Sequence, residues 1–168
     1  RVQLSAFLKG AGFTLEESTQ WWKQAMSQDP SFDMSKFDKE YLYGIRYTYG
    51  KVGNMKEKSA SKCQFNITAN FPTGNEVHGC PFRHMDKEHL QNLLGGWGVG
   101  RSDLYGIIGK ASDHHYELAC RDYFKAKHPG NDGEDMGNHP LQYYQESAKY
   151  HVAKDKASKP PAASQAAN

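Results

Sequence analysis

No apolar run in this chain approaches the roughly 18 to 20 residues that cross a bilayer, and no charged, apolar, small-residue pattern of a secretory leader opens it. With a mean hydropathy of −0.83, that reads as a soluble intracellular protein. Cysteine is scarce: three in 168 residues. The odd number excludes complete internal pairing, and intracellular thiols are more often buried, metal-bound or reactive than bridged. Excess charge is also lacking, since 21 Lys and Arg stand against 19 Asp and Glu for a net +2. A nucleic-acid partner therefore has to be argued from local charge, not from the total. The paired C-x2-C knuckles of zinc ribbons are missing, as is any spaced carboxylate set that would hold the two metal ions of a polymerase site. There is no internal repeat.

What is present is a chain long enough for one domain that buries about two thirds of its unfolded surface. It carries ten Tyr and eight His. At its centre lies His78-Gly79-Cys80-Pro81-Phe82-Arg83-His84, where Gly permits a close turn and Pro fixes the next residue. Such a turn holds a thiolate still. Cys63 and Cys120 lie far away on either side, so only a compact fold, or a metal centre inside one, brings the three together.

Leu4, Phe7 and Leu8 recur at helical spacing with no cap residue before Arg1, so the chain reads as opening inside an element, as a fragment would. Gly10-Ala11-Gly12 breaks that helix. Thr14 and Glu17 form a capping box for a second one through Leu15, Trp22 and Met26, which Asp29-Pro30 ends. Phe37, Tyr41, Ile45 and Tyr49 step by four and predict a third, closed by Gly50 in the left-handed conformation. Lys51 to Lys62 has no period and reads as a loop. Cys63-Gln64-Phe65-Asn66-Ile67 alternates briefly, which predicts a short strand, followed by turn residues from Asn70 to Asn75. Asp86, Ser102 and Asp113 are placed to cap three further helices carrying Leu90, Leu93 and Leu94, then Leu104, Ile107 and Ile108, then Tyr116, Ala119, Cys120, Tyr123 and Phe124. Cys120 falls on the inward face. Gly130 to Asn138 reads as an acidic, glycine-rich loop, and Pro140 starts a helix with Leu141, Tyr143 and Tyr144. Residues 149–168 turn to Ala, Lys, Ser and Pro, which predicts a disordered tail.

Widely spaced single thiols suit zinc or an iron–sulfur cluster buried between helical layers. The residues alone leave other readings open. Cys63 and Cys120 also fit as small buried apolar groups, His78 and His84 beside Cys80 fit an imidazole-activated thiol nucleophile, and a histidine could complete a three-cysteine zinc site.

With Cys63, His78-Gly79-Cys80-Pro81-Phe82-Arg83 and Leu118-Ala119-Cys120 in order, the chain resembles the C-terminal iron–sulfur domain of the eukaryotic DNA primase large subunit. Phe7-Leu8-Lys9-Gly10, Thr14-Leu15-Glu16, Phe37-Asp38-Lys39, Tyr41-x-Tyr43-x-Ile45-Arg46, Tyr49-Gly50 and His139-Pro140 carry the same resemblance. It covers Arg1 to about Ser147. It implies a mainly α domain over 1–148, with an N-terminal helical half at about 1–55 and a C-terminal half at about 63–147, packed around a buried cluster with at most a short β element. It implies that Cys63, Cys80 and Cys120 ligate one [4Fe-4S] cluster, the fourth cysteine being expected upstream of Arg1.

The resemblance further implies a nuclear, non-catalytic part of primase. Such a domain binds the template/RNA-primer junction and the primer 5′-triphosphate, supports primer initiation and counting in DNA replication, and works with the catalytic small subunit and the DNA polymerase alpha complex. Arg1, Lys9 and Arg46 are the phosphate candidates it points to, with Trp22, Tyr43 and Tyr47 as stacking or sugar contacts. Tyr41 and Tyr43 are candidates for a charge relay, in keeping with a second reading as an iron–sulfur redox or electron-transfer module. Tyr47 stands where relatives carry His, and Leu4 where some carry Tyr. Independently of any relative, Arg46, Lys51, Lys56, Lys58 and Lys62 face a single acid, Glu57, with Tyr43 and Tyr47 interleaved. Cations neutralise phosphates in a salt-dependent way and aromatic faces stack on unpaired bases.

Overall fold

The first helix, α1 (Val2–Gly10), runs into a turn that ends at Thr14. Thr14 opens α2 (Leu15–Ser27) with a complete capping box: the Glu17 N–H donates to its hydroxyl at 3.1 Å, and its own N–H donates to the Glu17 carboxylate at 2.8 Å. Amides that have no carbonyl within the helix are thereby satisfied. The structure is a computed structural model, and it describes residues 1–74, 76 and 78–158.

The single helix expected from Phe37 to Tyr49 is divided. A 3-10 turn (Met34–Lys36) leads into α3 (Phe37–Glu40), and α4 (Leu42–Thr48) follows after Tyr41 at φ −117° and ψ −37°. The Tyr41 ring packs on Phe32 and Phe37 at 5.2 and 6.0 Å where the backbone leaves ideal helix. The buried stripe survives the break, because Phe37, Ile45 and Tyr49 share one core with Trp22. Gly50 takes φ +64° as its position requires, and the 51–62 loop then turns back to pair Glu57 with Tyr49 in an isolated antiparallel bridge.

Cys63 begins a helix, α5 (Cys63–Thr68), and not the expected strand. Five alternating residues cannot separate a strand from a short helix; here the Thr68 hydroxyl donates to the Gln64 carbonyl at 2.9 Å and closes a helical turn. Among the described residues the β structure amounts to the Tyr49–Glu57 bridge. Next come α6 (Pro81–His84) and α7 (Lys87–Gly96), with Asp86 accepting from the His89 N–H at 3.0 Å as its cap. The following helices, α8 (Arg101–Ser112) and α9 (Tyr116–Lys127), are led in by Gly100 and His115, not by Ser102 and Asp113. Asp113 instead closes α8, and His114 at φ +66° reverses the chain before α9.

The last helix, α10, spans Pro140–Ser158, so residues 149–158 are helical where disorder was expected. Lys and Ala are good helix formers, and tertiary contacts hold this part down: the Tyr150 hydroxyl donates to the Pro129 carbonyl at 3.1 Å, and the Tyr150 ring lies edge-on to buried His128 at 4.9 Å. Residues 159–168 of the expected tail lie outside the described residues.

A second core gathers Phe82, Leu90, Leu94, Leu104, Ile107 and Ala119 from α6 to α9. The halves meet where α1 lies on α10 and α5: Phe7 is edge-on to Tyr144 at 5.9 Å, and Gln3 donates to Asn66 at 3.4 Å. Leu94 has no solvent exposure, so Leu94→Ala is expected to lower the unfolding free energy by about 2–5 kcal/mol in urea titration.

Candidate metal centre and nucleic-acid interface

Cys63 is the first residue of α5, Cys80 precedes α6, and Cys120 lies in mid α9. All three line one cavity of about 450 Å³ between the halves, with Phe7, Tyr123 and His139 on the same wall. All three are free thiols. Among the described residues, no group of three His, Cys, Asp or Glu side chains is placed to hold a metal ion.

Burial pushes the Cys120 thiol up to about 12, with Cys80, Cys63 and Glu117 adding to the shift. The same burial, then Cys80 and Glu117, raises Cys63 to about 11. Cys80 is also raised by burial, while the Phe82 and Arg83 amides at the open start of α6 pull it the other way. Three thiols that oppose one another's ionisation become thiolates together only when positive charge is placed among them. Three sulfur donors on one cavity suit, in their chemistry, a thiophilic metal centre, zinc or iron–sulfur alike.

The turn that presents Cys80 is built by His84. Its Nδ1 accepts the Cys80 backbone N–H at 3.0 Å, and its Nε2 donates to the Ala69 carbonyl at 3.0 Å. Both nitrogens are engaged with backbone, which removes His84 as a base for the Cys80 thiol. Gly79 is at φ +87°, and a Cβ built there would lie 2.6 Å from His84 Nδ1. His78 instead reaches toward Glu76, at 3.6 Å.

The residues expected to meet nucleic acid fall into two groups, with α4 contributing to both. Tyr43 is 58% exposed and lies nearly parallel to Tyr47, ring centroids 6.5 Å apart, one helical turn along. Arg46 is exposed beside them. The loop folds over Tyr47, with Gly53 against its ring and the Lys58 ammonium 5.0 Å from its centroid. In the second group, Arg1, Trp22 and Tyr41 line a hollow of about 180 Å³ that Gly44 and Ile45 also border. The Arg1 guanidinium lies 4.3 Å over the Tyr41 ring. Trp22 is chiefly a core residue, 9% exposed, and its indole N–H donates to Ser5 at 2.9 Å. Lys9 is ion-paired with Glu57 at 2.6 Å. Neither Tyr41 nor Tyr43 is among the described residues lining the cysteine cavity.

In sequence Glu57 is only the odd acid in a basic stretch, and its pairing with Lys9, 48 residues away, has no local signal. Phe7 and His139 join the cysteines through packing of distant segments. The His139-Pro140 motif was the one visible signal; the rest depends on helix packing.

The thiol shifts have a testable consequence. An unfolded cysteine titrates near 8.5, below the folded values of about 11 for Cys63 and about 12 for Cys120. The fold favours the neutral form, so this contribution to stability is intact below the unfolded pKa and declines as pH rises from there toward the folded values. For metal-free, reduced protein, the melting temperature is expected to fall from pH 8 to 10 by circular dichroism, and Cys120→Ser to flatten the fall.

A family described as the C-terminal domain of the eukaryotic and archaeal DNA primase large subunit matches residues 1–144. The DNA primase large subunits of Mus musculus and Homo sapiens are each 38% identical to this chain over 149 residues, covering 89% of it and 29% of their own length. The probable DNA primase large subunit of Arabidopsis thaliana is 36% identical over 149 residues, covering 89% of this chain and 32% of its own. The chain thus spans less than a third of the length of these relatives. A match that takes in both cores, all three cysteines and α1 to the start of α10 shows the family: the chain belongs to the DNA primase large subunits, as their C-terminal domain.

Proposed function

We propose that this domain is the non-catalytic part of a nuclear primase that holds the template/RNA-primer junction and the primer 5′-triphosphate, supporting initiation and counting while the catalytic small subunit, working with the DNA polymerase alpha complex, joins nucleotides. The observation that carries this is the α4 face: exposed Tyr43 stacked on Tyr47, Arg46 beside them, and a lysine-rich loop folded over the pair. Aromatic faces take unpaired bases, and the cations around them take phosphates. Arg1, above Tyr41 and the hollow shared with Trp22, supplies a further phosphate contact, and Lys9 another.

Cys63, Cys80 and Cys120 hold a [4Fe-4S] cluster in this reading, with a fourth cysteine from outside residues 1–168. When bound, the cluster supplies the positive iron charge that makes the buried thiols thiolates, and it ties α5, α6 and α9 to the seam with α1. Its role is structural: it fixes the relation of the two halves, and bond formation belongs to another subunit. Tyr41 and Tyr43 face their own aromatic partners, so the redox reading gains no support from their placement.

Binding to a primed template with a 5′-triphosphate is expected to weaken linearly with log salt. Arg46→Glu should reduce that slope by roughly one unit, and Tyr43→Ala should cost about 1–3 kcal/mol of affinity for a single-stranded overhang. Fluorescence anisotropy across a salt series reads both; a salt-independent affinity would defeat the proposal. For the cluster, iron and sulfide analysis of protein that includes the additional cysteine is expected to show brown, iron-loaded protein, with loading lost in Cys120→Ser. A colourless protein with stoichiometric zinc would overturn the iron assignment.

A further inference from the structure

The 51–62 loop carries Lys51, Lys56, Lys58 and Lys62 and a single acid, Glu57. That acid sits on Lys9 at 2.6 Å, and the Lys9 side chain is 19% exposed against 68% for Glu57. The lysine side chain is largely covered, and the carboxylate paired with its ammonium is the exposed partner.

The pairing does not come from a loosely swinging loop. Glu57 is bridged to Tyr49, and the next N–H, that of Lys58, donates to the Thr48 carbonyl at 2.9 Å. Gly50 leaves the room: a Cβ there would lie 3.1 Å from both the Glu57 backbone nitrogen and its Cγ. The Glu57 carboxyl is held below its usual range first by its hydrogen bond to Lys9, then by the charges of Lys9 and Lys51, so it is ionised at neutral pH.

We propose that Glu57 is a specificity-determining counter-anion. It occupies Lys9 so that a singly charged backbone phosphodiester does not displace it, whereas a multiply charged terminal triphosphate does. Exchanging a carboxylate for a diester swaps one charge for another and leaves the carboxylate facing an anion; a triphosphate brings several charges to the same ammonium and its lysine neighbours. The inference rests on the reading that this surface takes the primer 5′ end, and it adds how that end is told from the rest of the backbone.

The test compares two template–primer duplexes that differ only in a 5′-triphosphate or a 5′-hydroxyl on the primer, titrated by anisotropy at fixed salt. Wild type is expected to prefer the triphosphate. Glu57→Gln should bind the 5′-hydroxyl duplex roughly two- to fivefold tighter, the range expected of an exposed charge pair, with less change for the triphosphate, so that the preference shrinks. In a Lys9→Met background the same substitution should leave the preference unchanged. Glu57→Asp, which keeps the charge but stops a methylene short of Lys9, should also narrow the preference, and it serves if Glu57→Gln does not fold by circular dichroism. Equal tightening for both duplexes would reduce Glu57 to general repulsion, and equal weakening would make the pair a loop anchor; either result overturns the inference while the binding reading stands. A wild type without preference for the triphosphate would overturn both.

Discussion

The end of α1 lies against the start of α10, where Gly10 leaves to Leu141 the space a Cβ would occupy, and where Phe7 sits edge-on to Tyr144 at 5.9 Å. This seam sets the relation between the two hydrophobic cores, and the cysteine cavity opens beside it with Phe7 on its wall. Phe7 and Lys9 are two residues apart, about 200° around a helix. One side of α1 therefore faces the thiols while another reaches Glu57 and the basic loop.

The cavity and the loop answer opposite electrostatic problems. Around the cavity, burial holds three thiols neutral, and their mutual repulsion makes joint ionisation costly without added positive charge. On the loop, lysines are crowded onto a few residues while the chain as a whole carries only +2. One acid ties the loop to α1, and one tyrosine ring carries one of those lysines. Glu57 takes Lys9, and Lys58 rests over Tyr47. Arranging cations before a ligand arrives reduces the ordering cost at binding, so the same contacts that stabilise the loop prepare the surface.

Features that depend on residues a few positions apart were legible in the sequence. The Thr14–Glu17 box, the Asp86 cap and the left-handed Gly50 all stand where local hydrogen-bond chemistry puts them. Misreadings came where local chemistry is ambiguous or a distant partner decides. Alternation over Cys63 to Ile67 is too short to exclude a helix, and the break at Tyr41 falls where its ring packs on Phe32 from the preceding segment. The helix beyond Lys149 is held by Pro129 and His128, which no reading of a Lys- and Ala-rich stretch would supply. Trp22 has two surroundings that only the fold reveals: its indole N–H donates to Ser5, and it lines the hollow shared with Arg1 and Tyr41.

By itself, the sequence determined the helix caps at Thr14 and Asp86, the turn around Cys80 and the crowding of positive charge between Arg46 and Lys62, because each is a matter of neighbouring residues and their conformational limits. Tertiary structure alone decided that Cys63, Cys80 and Cys120 share one cavity, that Phe7 joins them, and that Glu57 covers Lys9. Those are meetings of segments far apart along the chain, and they exist only once two cores have packed and brought α1 across the gap between them.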